Sequence, residues 1–116
     1  MSGMKTYLET VLWCENEEET GFPLNKNYGL QDVDEESYRE AERELSIFLG
    51  IVNVLELGSE NSKDQIVHDF YLTRNGHGAG FFDGDYPKTG ETLGKIAQVF
   101  GEQYWFVNDD GKIYLM

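Results

Sequence analysis

The stretch DFYLTRNGHGAGFFD, residues 69–83, decides how the second half of the chain folds. Residues 66–73, which overlap the start of this stretch, are rich in β-branched and aromatic side chains, a composition typical of strands. Asn75 and Gly76 follow after one further residue, and this dipeptide is the strongest short signal for a two-residue hairpin turn. We therefore predict that the residues on either side of the dipeptide pair as an antiparallel hairpin.

Downstream of this stretch, the spacing of apolar residues predicts a helix over residues 89–100. A closing hairpin is expected next, with strands at residues 104–107 and 112–115 around the turn sequence Asn-Asp-Asp-Gly. Three aromatic residues stand in a row at 104–106, and successive strand residues point to opposite faces. At least one of these rings is therefore expected to point away from the core.

Upstream, apolar residues at helical spacing predict a long helix over residues 34–57 and a short one over residues 4–15. Asp32 or Asp34 is placed to cap the long helix, and Gly58 to end it. Together the elements predict a single α+β domain over residues 1–116, in the order α-α-ββ-α-ββ, with helices packed on an antiparallel sheet.

The charge of the chain is strongly negative and uneven. Twenty-two acidic residues stand against nine basic ones, for a formal net charge of −13. Residues 1–64, the helical half, carry fifteen of the acids, whereas residues 65–116, the hairpin–helix–hairpin half, carry seven. A field of this sign repels phosphate backbones and anionic membranes, which argues against direct binding to nucleic acid or to a membrane surface. It favours a protein partner with a basic surface.

The composition and the motifs narrow the class of protein further. The aromatic content of 14% is high enough to supply a core, and the single cysteine, Cys14, cannot form an intramolecular disulfide. Residues 1–10 lack the pattern of a signal peptide, and no apolar run is long enough to span a bilayer, so we expect a cytoplasmic protein.

No spacing of residues indicates catalysis, and we expect no enzyme activity, no cofactor and no bound metal. His68, His77 and nearby aspartates lack the spacing of a metal site. The glycines at 76–80 lack the strand–loop–helix context of a phosphate-binding loop. Cys14 lies in an acidic segment, where the pKa of a thiol is raised rather than lowered.

The acidic residues of the first half are the candidate partner-binding residues. One group follows the first helix and the other lies at the start and along the face of the long helix, where a basic partner would meet them. This set comprises Glu17, Glu18, Glu19, Asp34, Glu35, Glu36, Glu40 and Glu44.

The block at residues 69–83, with the helix and hairpin that follow, resembles small uncharacterised proteins of bacteriophages and mobile elements. Those proteins carry a close variant, DF[WY]LTRNGHGAGF[WF]D, and the resemblance covers about residues 68–115 of this chain. It implies a phage or prophage origin, and hence the cytoplasm of a bacterial host, but brings no activity with it.

Three functions are compatible with these observations. The first is a phage-type accessory protein that inhibits or redirects a host protein, with counter-defence by mimicry of nucleic acid as the expected setting. The second is a module that binds a small ligand or peptide at the 69–83 hairpin. The third is a self-assembling structural component that pairs through the edge strand at 104–107. The second function would use the side chains of Tyr71, Arg74, Asn75, His77 and Phe82.

Overall fold

The computed structural model describes residues 3–116, which form an α+β fold that is mostly helical. Within this range there are four α-helices and one two-stranded antiparallel sheet. Short 3₁₀ turns lie at Leu24–Lys26, Leu30–Asp32 and Gly80–Phe82. The regular elements are α1 (Met4–Cys14), α2 (Glu35–Val54), α3 (Lys63–Arg74), α4 (Gly90–Val99), β1 (Trp105–Val107) and β2 (Ile113–Leu115).

The predictions of α1, α2, α4 and the closing hairpin are confirmed. Of the two candidate caps, Asp34 is the one used: its carboxylate accepts a hydrogen bond from the main-chain N–H of Ser37 at 3.0 Å at the start of α2. The helix ends at Val54 rather than at residue 57, and Glu56 then takes a left-handed conformation with a φ of 55°. The chain therefore leaves the helix before Gly58 is reached.

The predicted hairpin around Asn75 is wrong, because residues 63–74 form helix α3 instead. The same apolar residues that suggest a strand also fit a helical period, since Ile66, Val67, Phe70 and Tyr71 recur on one buried face. The order of elements is accordingly α-α-α-α-ββ, and the expected four-stranded sheet is reduced to β1 and β2.

Asn75 and Gly76 end α3 rather than turning a hairpin. The main-chain N–H of Gly76 donates to the carbonyl of Thr73 at 3.3 Å, and that of His77 donates to the carbonyl of Leu72 at 2.9 Å. This pair of bonds is the Schellman pattern, which needs a left-handed residue just after the helix. Gly76 supplies it with a φ of 68°. The Asn-Gly dipeptide suits both a hairpin turn and a helix end, so the local sequence does not distinguish between them.

Helix α3 lies at the centre of the fold and packs against both α1 and α4. Its Phe70 ring stacks on Phe48 of α2, with ring centroids 4.0 Å apart. Phe100, just after α4, meets both rings edge-on. Phe81, in the 3₁₀ turn that precedes α4, packs beside Phe48. Four helical segments therefore share one aromatic core.

The closing hairpin is attached to the start of α2. Its buried face carries Trp105 and Ile113. The opposite face carries Tyr104, which is half exposed, and Phe106, so the prediction that one aromatic points away from the core is confirmed. No helix within residues 3–116 is both long enough and apolar enough to cross a membrane.

Two helical glycines give opposite expectations for stability. Gly50 lies on the exposed side of α2, and a Cβ there meets nothing within 4 Å. Gly50→Ala should raise the free energy of unfolding by about 0.5–1 kcal/mol, because alanine loses less entropy in a helix.

Gly90 starts α4, and a Cβ there would lie 2.4 Å from the main-chain oxygen of Phe81. Gly90→Ala should lower stability by about 1–3 kcal/mol, because this backbone atom cannot move away cheaply.

Urea denaturation of the two variants and the parent measures both effects. Equal shifts of the same sign in the two variants would contradict this assignment of their environments.

Candidate functional site

Four of the predicted acidic residues line one groove between α2 and the closing hairpin. This helix groove has a volume of about 480 Å³, and its acidic side chains are Asp34, Glu36, Glu40, Glu44 and Glu102. Glu36, Glu40 and Glu44 follow one another at four-residue spacing, so they share one face of α2. Glu35 lies outside the groove and pairs with Arg39 on the exposed surface.

Arg74 is the only cationic side chain among the described residues that line the helix groove. Each of its three guanidinium nitrogens donates a hydrogen bond within the fold. Its side chain is 1% exposed. Nε donates to the carbonyl of Gly101 at 2.7 Å, and Nη2 donates to that of Phe100 at 3.1 Å, both just after α4. Nη2 also pairs with the Glu44 carboxylate at 2.7 Å, and Nη1 donates to the Tyr7 hydroxyl at 3.3 Å. One guanidinium therefore joins all four helices.

Beneath the helix groove, Gln103 has half of its hydrogen-bonding capacity unused. Its Oε1 accepts a hydrogen bond from the Tyr7 hydroxyl, whereas its Nε2 has no partner among residues 3–116. Burial raises the pKa of Tyr7 above its ordinary value, so this hydroxyl keeps its proton and acts as a donor. Gln103 itself is 7% exposed and lines the groove.

The remaining predicted acids lie on the other side of the closing hairpin. The hairpin groove, of about 640 Å³, is bounded by residues 15–19 on one wall and by residues 104–109 on the other. Tyr104 crosses it, and its hydroxyl donates to the Glu18 carboxylate at 2.9 Å. This bond raises the pKa of Tyr104 because ionisation would place a phenolate against the carboxylate. Tyr28 similarly donates to Glu17 at 3.1 Å.

The two grooves adjoin, since Met116 lines both. The acids after α1 and those on α2, which are far apart in sequence, therefore flank one hairpin. Sequence reasoning missed Glu15, Glu102 and Asp109 as members of this surface. All three lie outside the helices, where no periodicity indicates which way a side chain points.

The residues proposed for a ligand site on residues 69–83 are mostly used within the fold. Tyr71 is fully buried and donates to the Glu15 carboxylate at 2.5 Å, and the His77 ring is 2.9 Å from the same carboxylate. The Asn75 amide donates to the carbonyl of Gln103 and accepts from its main-chain N–H. Arg74 is buried as described above. Phe82 and His77 are the two exposed members of this set, and the Phe82 ring lies over Gly94 of α4.

The groups considered for metal or nucleophilic chemistry are dispersed. His68 lies 2.9 Å from the Thr10 hydroxyl, and Asp69 accepts hydrogen bonds from Tyr86 and Gln65. Within residues 3–116, no three His, Cys, Asp or Glu side chains come together as a possible metal site. Burial raises the pKa of the Cys14 thiol to about 11, with a smaller contribution from the neighbouring negative charge.

Compared with protein-family models, curated proteins and solved structures, the chain shows no significant match.

Two arginines next to α2 should differ sharply in their contribution to stability. Arg74→Ala removes four hydrogen bonds and leaves Glu44, whose side chain is 28% exposed, without its cation. We expect a loss of about 3 kcal/mol or more in the free energy of unfolding. Arg43→Ala breaks only an exposed pair with Glu40 and should change stability by less than about 1 kcal/mol.

Thermal and urea denaturation of both variants measure the difference. If Arg74→Ala were as stable as Arg43→Ala, the guanidinium would not hold the helices together, and it would be available to a ligand.

Proposed function

We propose that this chain is a protein-binding module whose helix groove and hairpin groove together hold a basic surface of a partner protein. The observation that carries the proposal is that carboxylates from two distant parts of the sequence converge on both sides of one hairpin. A solvated acidic face would not require such convergence.

The local electrostatics support this function. The guanidinium of Arg74 is held by Glu44 and by main-chain carbonyls, so it offers no free charge to offset the other acids of the helix groove. Glu36 has no ion-pair partner among residues 3–116, and Glu40 pairs only with Arg43 on the exposed surface. A concave surface lined by one sign of charge concentrates its field and speeds association with a basic partner.

The setting we propose is inhibition or redirection of a host protein by a phage-type accessory protein. The resemblance of residues 69–83 to bacteriophage proteins supports this setting, and the acidic surface fits a cleft that normally holds nucleic acid. A nuclease, a restriction enzyme or a CRISPR component has a cleft of that kind. The protein would act by occupying the cleft and would need no catalytic residue and no cofactor.

The other two functions have less support. A ligand site on residues 69–83 would need free polar groups, but Tyr71, Arg74 and Asn75 already have partners within the fold. Self-assembly through β1 is compatible with the open edge of that strand.

Neutralising two groove acids should weaken binding to a basic probe. We expect Glu36→Gln with Glu40→Gln to bind poly-L-lysine at least tenfold more weakly than the parent at low salt, because both carboxylates line the helix groove. The control is Glu9→Gln with Glu56→Gln, which has the same net charge but changes two exposed acids outside both grooves. Isothermal titration calorimetry at two salt concentrations measures both variants.

If the control pair weakened binding as much as the groove pair, the effect would come from net charge alone and the groove would have no special role. The same two variants, used as baits in host lysate, then test the natural partner. A protein retained by the parent and the control, but lost from the groove variant, would support the proposal.

A further inference from the structure

We infer that the hairpin groove binds an extended, basic peptide segment that adds to β1 as a third strand. The inference rests on the proposed function in one respect, namely that the partner is basic. It adds the form in which the partner is recognised: main-chain hydrogen bonds to β1, with basic side chains against the acidic wall.

The first observation is the direction of the main-chain groups of β1. Phe106 pairs with Tyr114, and the bonds on either side of this pair run from Met116 to Tyr104 and from Asn108 to Lys112. Because hydrogen-bonded and non-hydrogen-bonded pairs alternate in an antiparallel ladder, the N–H and C=O groups of residues 105 and 107 point away from β2.

Those outward groups are unused within the described chain. The hydrogen bonds of residues 3–116 include none to the outward main-chain groups of Trp105 or Val107. The far edge of β2 is different: the carbonyl of Ile113 accepts from the N–H of Asp34 at 2.8 Å, and the N–H of Leu115 donates to the Ser37 hydroxyl at 2.9 Å. The sheet therefore has one occupied edge and one open edge.

The open edge faces a groove of the right shape. Residues 104–109 line the hairpin groove consecutively, from both faces of the strand, which places the strand edge itself along the groove. The opposite wall is the turn at residues 15–19. At about 3.3 Å per residue, the three residues of β1 match a segment of three to four extended residues.

The chemistry of the groove selects basic side chains. Glu17, Glu18 and Asp109 supply negative charge, and the rings of Tyr104 and Phe106 stand side by side with centroids 6.3 Å apart. Lysine and arginine bind favourably both to carboxylates and to the faces of aromatic rings. A segment with basic residues at alternate positions would place them all on this side of the sheet.

The test uses the full chain and a synthetic seven-residue peptide of alternating lysine and valine. Its control is the same peptide with every backbone nitrogen methylated, which keeps the charges and side chains but removes the main-chain donors. We expect the unmodified peptide to bind at least tenfold more tightly by calorimetry. We also expect hydrogen exchange to slow at the amide of Val107 on binding, and to stay unchanged at that of Phe106, which already faces β2.

Three results would overturn the inference. In the first, the two peptides bind the parent equally well, and both bind the variant Glu36→Gln with Glu40→Gln more weakly. That result would rule out strand addition but would leave the proposed function intact. Binding of neither peptide would overturn strand addition, and it would overturn the proposed function as well if the parent also failed to bind poly-L-lysine. Slow exchange at Val107 without peptide, together with a dimer in sedimentation, would show that a second copy of the chain occupies the edge. As a second variant, Val107→Pro removes one outward main-chain donor at an edge position that tolerates proline. It should weaken binding of the unmodified peptide and leave binding of the methylated peptide unchanged.

Discussion

The buried guanidinium of Arg74 is the interaction on which the arrangement of the helices depends. A buried charge is stable only when its hydrogen-bonding groups are satisfied, and this one requires carbonyls from the end of α4, a carboxylate from α2 and a hydroxyl from α1. The carbonyls at the end of a helix lack partners of their own, so the positive charge and the end of α4 stabilise each other. Because each partner comes from a different element, the four helices fit around one side chain in one way.

The same interaction shapes the proposed binding surface. Glu44 belongs to the row of acids on α2, yet its carboxylate is held by Arg74 inside the protein. Glu40 and Glu36, one and two turns earlier, line the helix groove without a contact to Arg74. The row therefore passes from a structural acid, held by Arg74, to two more exposed acids. The basic partner that we propose would meet the exposed ones.

The long helices were predictable because their signals are local and redundant. Asp34 caps α2 through a bond to a residue three positions away, and the apolar stripe of that helix repeats over about four turns. The candidate site was predictable in part: an acidic run and an acidic helix face can be read directly from the sequence. Their convergence on one hairpin could not, since it depends on how the turn at residues 15–19 packs against β1.

The sequence by itself determined the acidity, the amphipathic helices and the closing hairpin, because charge, period and turn residues act over a few neighbours. Only the tertiary structure decided that residues 63–74 are helical. The apolar pattern there fits both periods, and Asn75 with Gly76 suits both a hairpin turn and a helix end. The helix is preferred because it buries Phe70 against Phe48 and brings Arg74 to its partners. Both contacts are made with residues at least twenty positions away in the chain.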